Sequence, residues 1–320
     1  MTTGDKSRAL AEWAFFVLMF AVAGLVSFYL PSLEFFVVML LPLPIMLILL
    51  KFDARYAILG LAVAGLLFFI FIPPAAVFIL VFRYGLLGIL LGLLFKNKIS
   101  SGKILWAGMI YAGVAAFLYL LLSYFAGNNL FVLGEEVRSA FEQTMAAYRD
   151  AGMLNNIPAE LQESFGETII STYELLFPGQ YIISAAALAA ITYFFARACL
   201  TRLNYLLAPG LAFTMISLPW YSIWGPIVGL ALTLAGDNFS WLLVAKIGKN
   251  ILYMLFWLYI VLGLSVTAYF FRKVTVVWPL KLIFLVFVLA YPPFSMAGLV
   301  LLGMTDPLVN YRRLAFPEQK

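Results

Sequence analysis

Charged residues almost vanish from a series of apolar stretches about 20 residues long and reappear between them. A hydrocarbon core about 30 Å thick needs about 20 apolar helical residues per crossing, so this alternation predicts a chain that spans a bilayer repeatedly. Spans are predicted near residues 12–30, 33–50, 56–72, 75–95, 104–126, 180–199, 219–236, 250–271 and 280–303. The expected fold is all-α: a polytopic transmembrane helical bundle of 8 to 9 spans with an outer amphipathic helical hairpin. Residues 1–126 would hold transmembrane helices 1 to 5, 127–179 an extracytoplasmic amphipathic insertion, 180–303 helices 6 to 9, and 304–320 a polar tail. Pro73-Pro74 makes the third and fourth spans a tight hairpin, because proline cannot continue a helix. Pro42 and Pro44 interrupt the second span and Pro292-Pro293 the last. The first stretch has no small-residue cleavage site of the usual kind and reads as a transmembrane helix, not a removed signal.

The segment between the fifth and sixth spans is acidic, with Glu135, Glu136, Glu142, Asp150, Glu160, Glu163, Glu167 and Glu174 against Arg138 and Arg149. Leu133, Val137, Phe141, Met145 and Tyr148 recur at helical spacing. Leu161, Phe165, Ile169, Tyr173 and Leu176 do the same, and Asn155-Asn156-Ile157-Pro158 breaks the chain between the two runs. Acid-rich helices are repelled by anionic lipid heads, so packing on the protein is favoured over membrane binding, as a structural cap or as a lid or partner surface.

Composition removes most alternatives to lipid. The chain is 65% hydrophobic and 11% charged, with mean hydropathy +1.03, whereas soluble domains carry about 25% charged residues. There is no histidine, which removes the commonest general base and metal ligand together. Cys199 is alone, so no disulfide or thiolate cluster forms within one chain. With no pair of catalytic carboxylates and no serine with a base in the spans, the expectation is a protein that is not an enzyme, with no cofactor, no metal and no nucleic acid partner.

Lysine and arginine mark the cytoplasmic ends of short loops. Lys6, Arg8, Lys51, Arg55, Lys96, Lys98, Lys103, Arg197, Arg202, Arg272, Lys273 and Lys281 all fall on one side if every span crosses once, which places the N-terminus in the cytoplasm. Nine crossings would put Arg312 and Arg313 outside. Three explanations stand: the last proline-broken span re-enters, a span is miscounted, or the tail breaks the rule.

Cations inside the spans supply the candidate chemistry. Arg83 sits mid-span in the fourth helix, where a guanidinium costs several kcal/mol, on the order of 3, unless it pairs or reaches water. It serves either as a structural hydrogen-bonding group or as a ligand contact. Lys246, Lys249, Asn250, Tyr253 and Trp257 share one helical face, which suits either a solute cavity or an interfacial helix whose lysines snorkel to water. Gly88 and Gly92, and Gly225 and Gly229, are GxxxG pairs that let helices approach closely, within the bundle or toward a partner protein.

Several short motifs, taken in order, resemble a known family. They are Leu41-Pro42-Leu43-Pro44, Phe82-Arg83-Tyr84-Gly85-Leu86-Leu87-Gly88 running to Gly92, Lys96 and Lys98, Leu262-Gly263-Leu264, and Gly303-Met304-Thr305-Asp306-Pro307 through Tyr311-Arg312-Arg313. Together they resemble the YybS-like family of bacterial membrane proteins, over almost the whole length. That family is grouped with the substrate-binding components of energy-coupling-factor transporters. The resemblance implies a multi-pass protein of the bacterial cytoplasmic membrane, with Arg83, Gly88, Gly92, Asp306 and Arg312 as positions of interest. Where the family carries a glutamine, Leu262 stands here. The first span lacks the AxxxA face that such components offer to a coupling subunit, and no Walker A motif is present, so ATP use would belong to another polypeptide.

Two functional expectations follow. One is a transporter component holding a small anionic or zwitterionic solute near Arg83, Lys246, Lys249, Asn250 and Tyr253, working with a membrane coupling subunit. The other is a membrane scaffold that holds a cell-envelope or division protein through the acidic hairpin and the glycine faces.

Overall fold

Long apolar runs settle as helices because, in lipid, each backbone N–H and C=O has to be satisfied within its own segment. The computed structural model describes residues 3–127, 135–152, 159–273 and 277–314, and among these every regular element is helical. The elements are α1 (Thr3–Tyr29), α2 (Pro31–Leu40), α3 (Pro42–Lys51), α4 (Ala54–Phe71), α5 (Pro74–Phe78), a π-helix (Ile79–Gly85), α6 (Leu86–Lys96), α7 (Ser101–Phe125), α8 (Glu135–Asp150), α9 (Ala159–Arg202), α10 (Trp224–Asn238), α11 (Leu242–Lys273), α12 (Trp278–Ala290) and α13 (Pro292–Val309). Short 3-10 turns at Phe213–Met215 and Trp220–Ile223 precede α10.

Among the described residues, seven helical runs are long and apolar enough to cross a bilayer, and the α12–α13 pair, bent by 111°, makes up to eight. The protein is therefore a polytopic all-α membrane bundle. Its chain divides into two units, Met1–Leu121 with Ile182–Gly210, and Leu122–Tyr181 with Leu211–Lys320.

In the amino-terminal unit, α1, α3 and α4 bury Val17, Phe20, Ile45, Ile48, Leu61 and Phe68 against one another, with the Phe20 and Phe68 rings 5.7 Å apart. Pro42 and Pro44 act as a junction: the helix stops at Leu40, Leu41 stays helical, and α3 starts at Pro42, the position where a missing N–H costs least. Two ion pairs, Lys51 to Glu12 at 2.8 Å and Lys96 to Asp53 at 3.0 Å, tie the ends of these helices together.

In the carboxy-terminal unit, α11 is the spine. The span expected near 219–236 is realised as the 15-residue α10 led by a largely extended run with two 3-10 turns. Gly236 approaches the backbone of Ala245, Gly229 meets Leu252, and Ser265 bonds the carbonyl of Phe213 at 2.7 Å. The run 213–236 thus flanks α11 from Ala245 to Ser265, roughly 30 Å at about 1.5 Å per helical residue, which matches a hydrocarbon core. Its length suits a broken crossing, which a count of long helices does not include.

The second amphipathic run and the sixth span are joined in one 44-residue helix, α9, which passes through Pro178. α8 is the first helix of the insertion, with Phe141 and Met145 half-buried and its remaining described side chains exposed. Leu133 and the Asn155-Pro158 break lie outside the described residues, as do the side chains of Val137, Leu161 and Phe165.

Candidate functional site

Arg83 lies on the π-helix, where hydrogen bonding widens from i+4 to i+5 for seven residues. Such stretches are rare and recur at functional sites, since the wider turn leaves a carbonyl for an outside donor. Here the Tyr111 hydroxyl donates to the Phe82 carbonyl. The Arg83 guanidinium is half-buried and stands 5.4 Å from the centroid of the Tyr84 ring, a cation–π distance. Gly88 and Gly92, one and two turns on, let α6 lie against α3: a Cβ at Gly88 would press on the Pro42 carbonyl, and one at Gly92 would crowd Met46 and Leu49.

Beside this turn is a cavity of ≈ 160 Å³ walled by α1, α2, α5 and the π-helix. Ser27, Glu34 and Tyr84 give it polar groups, and Phe28, Val38 and Leu80 give it apolar walls. Ser27 donates to the Gly24 carbonyl at 2.8 Å. Glu34 is exposed in the first turn of α2, a position the helix dipole favours for a carboxylate. A second groove between α4 and the π-helix is lined by Leu61, Leu66, Phe69, Phe78, Val81 and other apolar residues alone.

The polar stripe on α11 makes contacts within its own unit. Asn250 is buried; its amide accepts from the Gly179 N–H at 2.7 Å and donates to the Leu175 carbonyl at 2.8 Å and the Lys246 carbonyl at 2.8 Å. Gly179 N–H and Leu175 C=O are natural i→i−4 partners, so the amide inserts itself into the α9 ladder one residue past Pro178. Its two donors and its acceptor are committed there. Lys249 pairs with Asp237 at 3.0 Å, Lys246 and Tyr253 are half-buried, and Gly225 and Gly229 seat α10 on Leu255 and Leu252. Arg83 belongs to the amino-terminal unit and this stripe to the other.

Arg312 and Asp306 form the most enclosed polar centre described. The Arg312 side chain is 0% exposed and that of Asp306 5%. All five guanidinium N–H groups have acceptors. Nε bonds the Asp306 carboxylate at 3.2 Å, Nη2 bonds it at 2.6 Å and the Ile216 carbonyl at 2.8 Å, and Nη1 bonds the Thr214 carbonyl and Ser265 Oγ, each at 2.8 Å. Tyr259 similarly donates to the Ser222 carbonyl at 2.9 Å. These donors satisfy the carbonyls of the non-helical run before α10, the condition under which irregular backbone is tolerated at membrane depth. A Cβ at Gly263 would overlap the Leu299 carbonyl, and one at Gly303 the Tyr259 carbonyl, so both glycines permit the α11–α13 crossing next to the ion pair. Leu262, next to Gly263, is buried.

This geometry also shows how the last pair of helices runs. α12 begins five residues after α11 ends, and α13 delivers Arg312 back to Ser265, about two turns from the same end of α11. α12 and α13 meet at a 111° bend, and α13 then runs along α11 from Leu299 beside Gly263 to Gly303 beside Tyr259, away from the Lys273 end.

Sequence reasoning missed Ser265, Gly263 and Gly303 as partners of the Asp306–Arg312 tail, and Glu34 and Ser27 as cleft residues. It also used Arg197 only for orientation. That guanidinium bonds Ser101 Oγ and the Ala208 carbonyl, each at 2.8 Å, and fastens the loop after α9 to the start of α7.

No solved structure matches this chain. The "Uncharacterized protein YybS" of Bacillus subtilis (strain 168) is 22% identical over 201 residues, 62% of this chain and 64% of that protein, so the chain spans a little under two thirds of this relative. Residues 18–307 match the family described as "Predicted membrane protein (DUF2232)", which covers most of the chain and both polar centres up to Asp306. This chain belongs to the DUF2232 family of predicted membrane proteins.

Proposed function

We propose that the protein is a transport component of the bacterial cytoplasmic membrane that binds a small anionic or zwitterionic solute in its amino-terminal unit, and that it is not an enzyme. The observation that carries this reading is the seven-residue π-helix, which holds Arg83 inside an apolar span and contributes Ile79, Leu80 and Tyr84 to the wall of the Ser27–Glu34–Tyr84 cleft. A guanidinium held in a low-dielectric wall attracts an anion far more strongly than one in water. The discontinuous run at 213–238 and the sharply bent α12–α13 pair add support, since discontinuous helices recur in transporters. A membrane coupling subunit or an ion gradient would supply the energy.

The N-terminus is read as cytoplasmic. A topology in which 213–238 crosses and α12–α13 re-enters puts Arg312 and Arg313 with the other loop cations on the inner side. The second reading, a scaffold for an envelope protein, draws on α8, most of whose described side chains are exposed.

The test is a thermal-shift panel of small anions and zwitterions on protein in lipid nanodiscs, wild type against Arg83→Ala. A solute should raise the melting temperature of wild type by several degrees and leave the variant unmoved, while the unliganded proteins melt within a few degrees of each other. If no member of the panel shifts wild type, the transport reading fails.

A further inference from the structure

The π-helix passes over one carbonyl, and a side chain from another helix takes it. Its last wide bond runs from the Leu86 N–H to the Val81 carbonyl, after which α6 resumes i→i−4 spacing, a register that matches Leu87 to Arg83. Phe82 C=O falls between the two registers, and the Tyr111 hydroxyl of α7 donates to it. The segment that carries this carbonyl has room on two sides. The cleft of ≈ 160 Å³ adjoins Ala76, Ile79 and Leu80, and the apolar groove of ≈ 590 Å³ adjoins Val77, Phe78 and Val81 on the side of α4. α6, by contrast, is held on α3, where a Cβ at Gly88 would press on the Pro42 carbonyl.

We propose that Tyr111 is a positioning residue that sets the register of the α5–α6 span. With its hydroxyl on Phe82 C=O the turn stays wide. Without it, the Leu86 N–H takes that carbonyl and residues 79–85 close to an α-helix, the commoner form by far. An α-helix turns about 100° and rises about 1.5 Å per residue, so closing the turn moves α5 by about one such step against the fixed α6. Val81 then leaves Gly65, where a Cβ now lies 3.4 Å from its Cγ2, and Phe82 takes its place. Such discrete alternatives of one packed element are how switching proteins move. The inference rests on the solute-binding reading only for its use, since turning α5 reshapes the cleft wall; the register itself is tested without solute.

The test is disulfide cross-linking of the full chain in lipid nanodiscs, with Cys199→Ala removing the native thiol. Gly65→Cys with Val81→Cys reports the wide turn, and Gly65→Cys with Phe82→Cys the closed one. Gly113→Cys with Ile182→Cys is the control, because a Cβ at Gly113 lies 3.6 Å from Ile182 Cγ2 and neither residue is on the turning segment. Tyr111→Phe should slow the Val81 pair about tenfold, equivalent to about 1.4 kcal/mol, speed the Phe82 pair and leave the control unchanged. Deletion of Val81 is the second variant: it removes the extra residue with Tyr111 in place, and its Phe82 pair should cross-link faster than in the parent chain. If Tyr111→Phe changes neither reporter, packing and not the hydroxyl sets the register, and the proposal is wrong. If the control slows by the same factor, Tyr111 holds the whole unit together, which overturns it equally. A slow Phe82 pair in the deletion chain overturns the one-residue register. A register that switches in a protein that no solute stabilises leaves the inference standing and removes the transport reading, and the reverse result does the opposite.

Discussion

The carboxy-terminal unit encloses Arg312 completely and bonds every one of its N–H groups, whereas the amino-terminal unit leaves Arg83 half-exposed on a π-helix beside a cavity. Both residues are arginines in apolar surroundings, yet their settings suit different tasks. Arg312 closes an account of backbone groups: the extended run before α10 exposes carbonyls, and a rigid five-donor fork satisfies two of them while pairing with Asp306. Nothing remains for a ligand to contact. Arg83 sits where the helix itself is distorted, half-buried, on a π-helix whose Ile79, Leu80 and Tyr84 wall a cavity.

The largest expected effect is at Arg312. Arg312→Ala leaves Asp306 buried without its partner and should destabilise the protein by about 3–5 kcal/mol, read from denaturant unfolding in detergent. Arg312→Lys should fall close behind, because an ammonium has three donors and no planar fork. Replacing the pair together by Met and Leu should recover only the part of the loss due to the unpaired Asp306 carboxylate, since the Thr214 and Ile216 carbonyls still lose their donor. An Arg312→Ala protein as stable as wild type would remove the contrast between the two arginines.

Next in size is the helix crossing beside that pair. Gly263→Ala should cost about 1–3 kcal/mol, since a methyl would overlap the Leu299 carbonyl and backbone cannot swing aside as a side chain can. Gly298→Ala, on the same α13 helix, meets no atom within 4 Å and should be neutral or stabilise by up to about 1 kcal/mol, as alanine does in a helix interior. Melting temperatures of the two variants, compared in one detergent, check the pair. If both behave alike, the crossing is looser than its geometry.

A smaller effect is expected at Asn250. Asn250→Ala removes the inserted amide, but Gly179 N–H and Leu175 C=O can then bond each other, so the net cost should be about 1 kcal/mol. Asn250→Asp keeps the acceptor and loses both donors while burying a charge, and should be the worse of the two. Hydrogen exchange at Gly179 reports the rearrangement directly: faster exchange in Asn250→Ala marks a ladder that does not re-form.

How much of this was legible in the sequence depended on the range of the interaction. Apolar length gave the all-α membrane bundle, because lipid demands helices whatever their partners. The tail motif at Asp306 and Arg312 was visible, but its acceptors, Thr214, Ile216 and Ser265, are about 50 to 100 positions away and carry no local signature. Hydropathy measures apolar length and not helicity, which is why the broken crossing at 213–238 reads as an ordinary span. It also expects a separate start for the sixth span at Pro178, because the amide that bridges that position comes from α11. Asn250 was found as part of a stripe, and only the fold shows that it faces backbone. Glu34 looked like an ordinary loop acid until the cavity beside it was seen.

The smallest effect is at the exposed counterpart of the enclosed ion pair, Asp53 with Lys96. The Lys96 ammonium hydrogen-bonded to it at 3.0 Å, aided by the Ala54 N–H, holds the Asp53 carboxyl below its ordinary value. A carboxylate depressed in the folded state binds fewer protons there than in the unfolded chain, so it stabilises the fold above the ordinary aspartate pKa. That contribution drains away as pH falls through the folded value. Because both side chains face solvent, salt should remove it as well: at about 1 M the screening length is about 3 Å, comparable to the bond itself. Asp53→Asn should therefore melt slightly below wild type at pH 7 in low salt and coincide with it either near pH 2 or in 1 M salt. The Arg312→Ala deficit should persist in the same high salt, since water and ions do not reach that pair. A gap at Asp53 that survives both treatments would mean that its role is to start α4, and the exposed pair would no longer serve as the screened reference for the buried one.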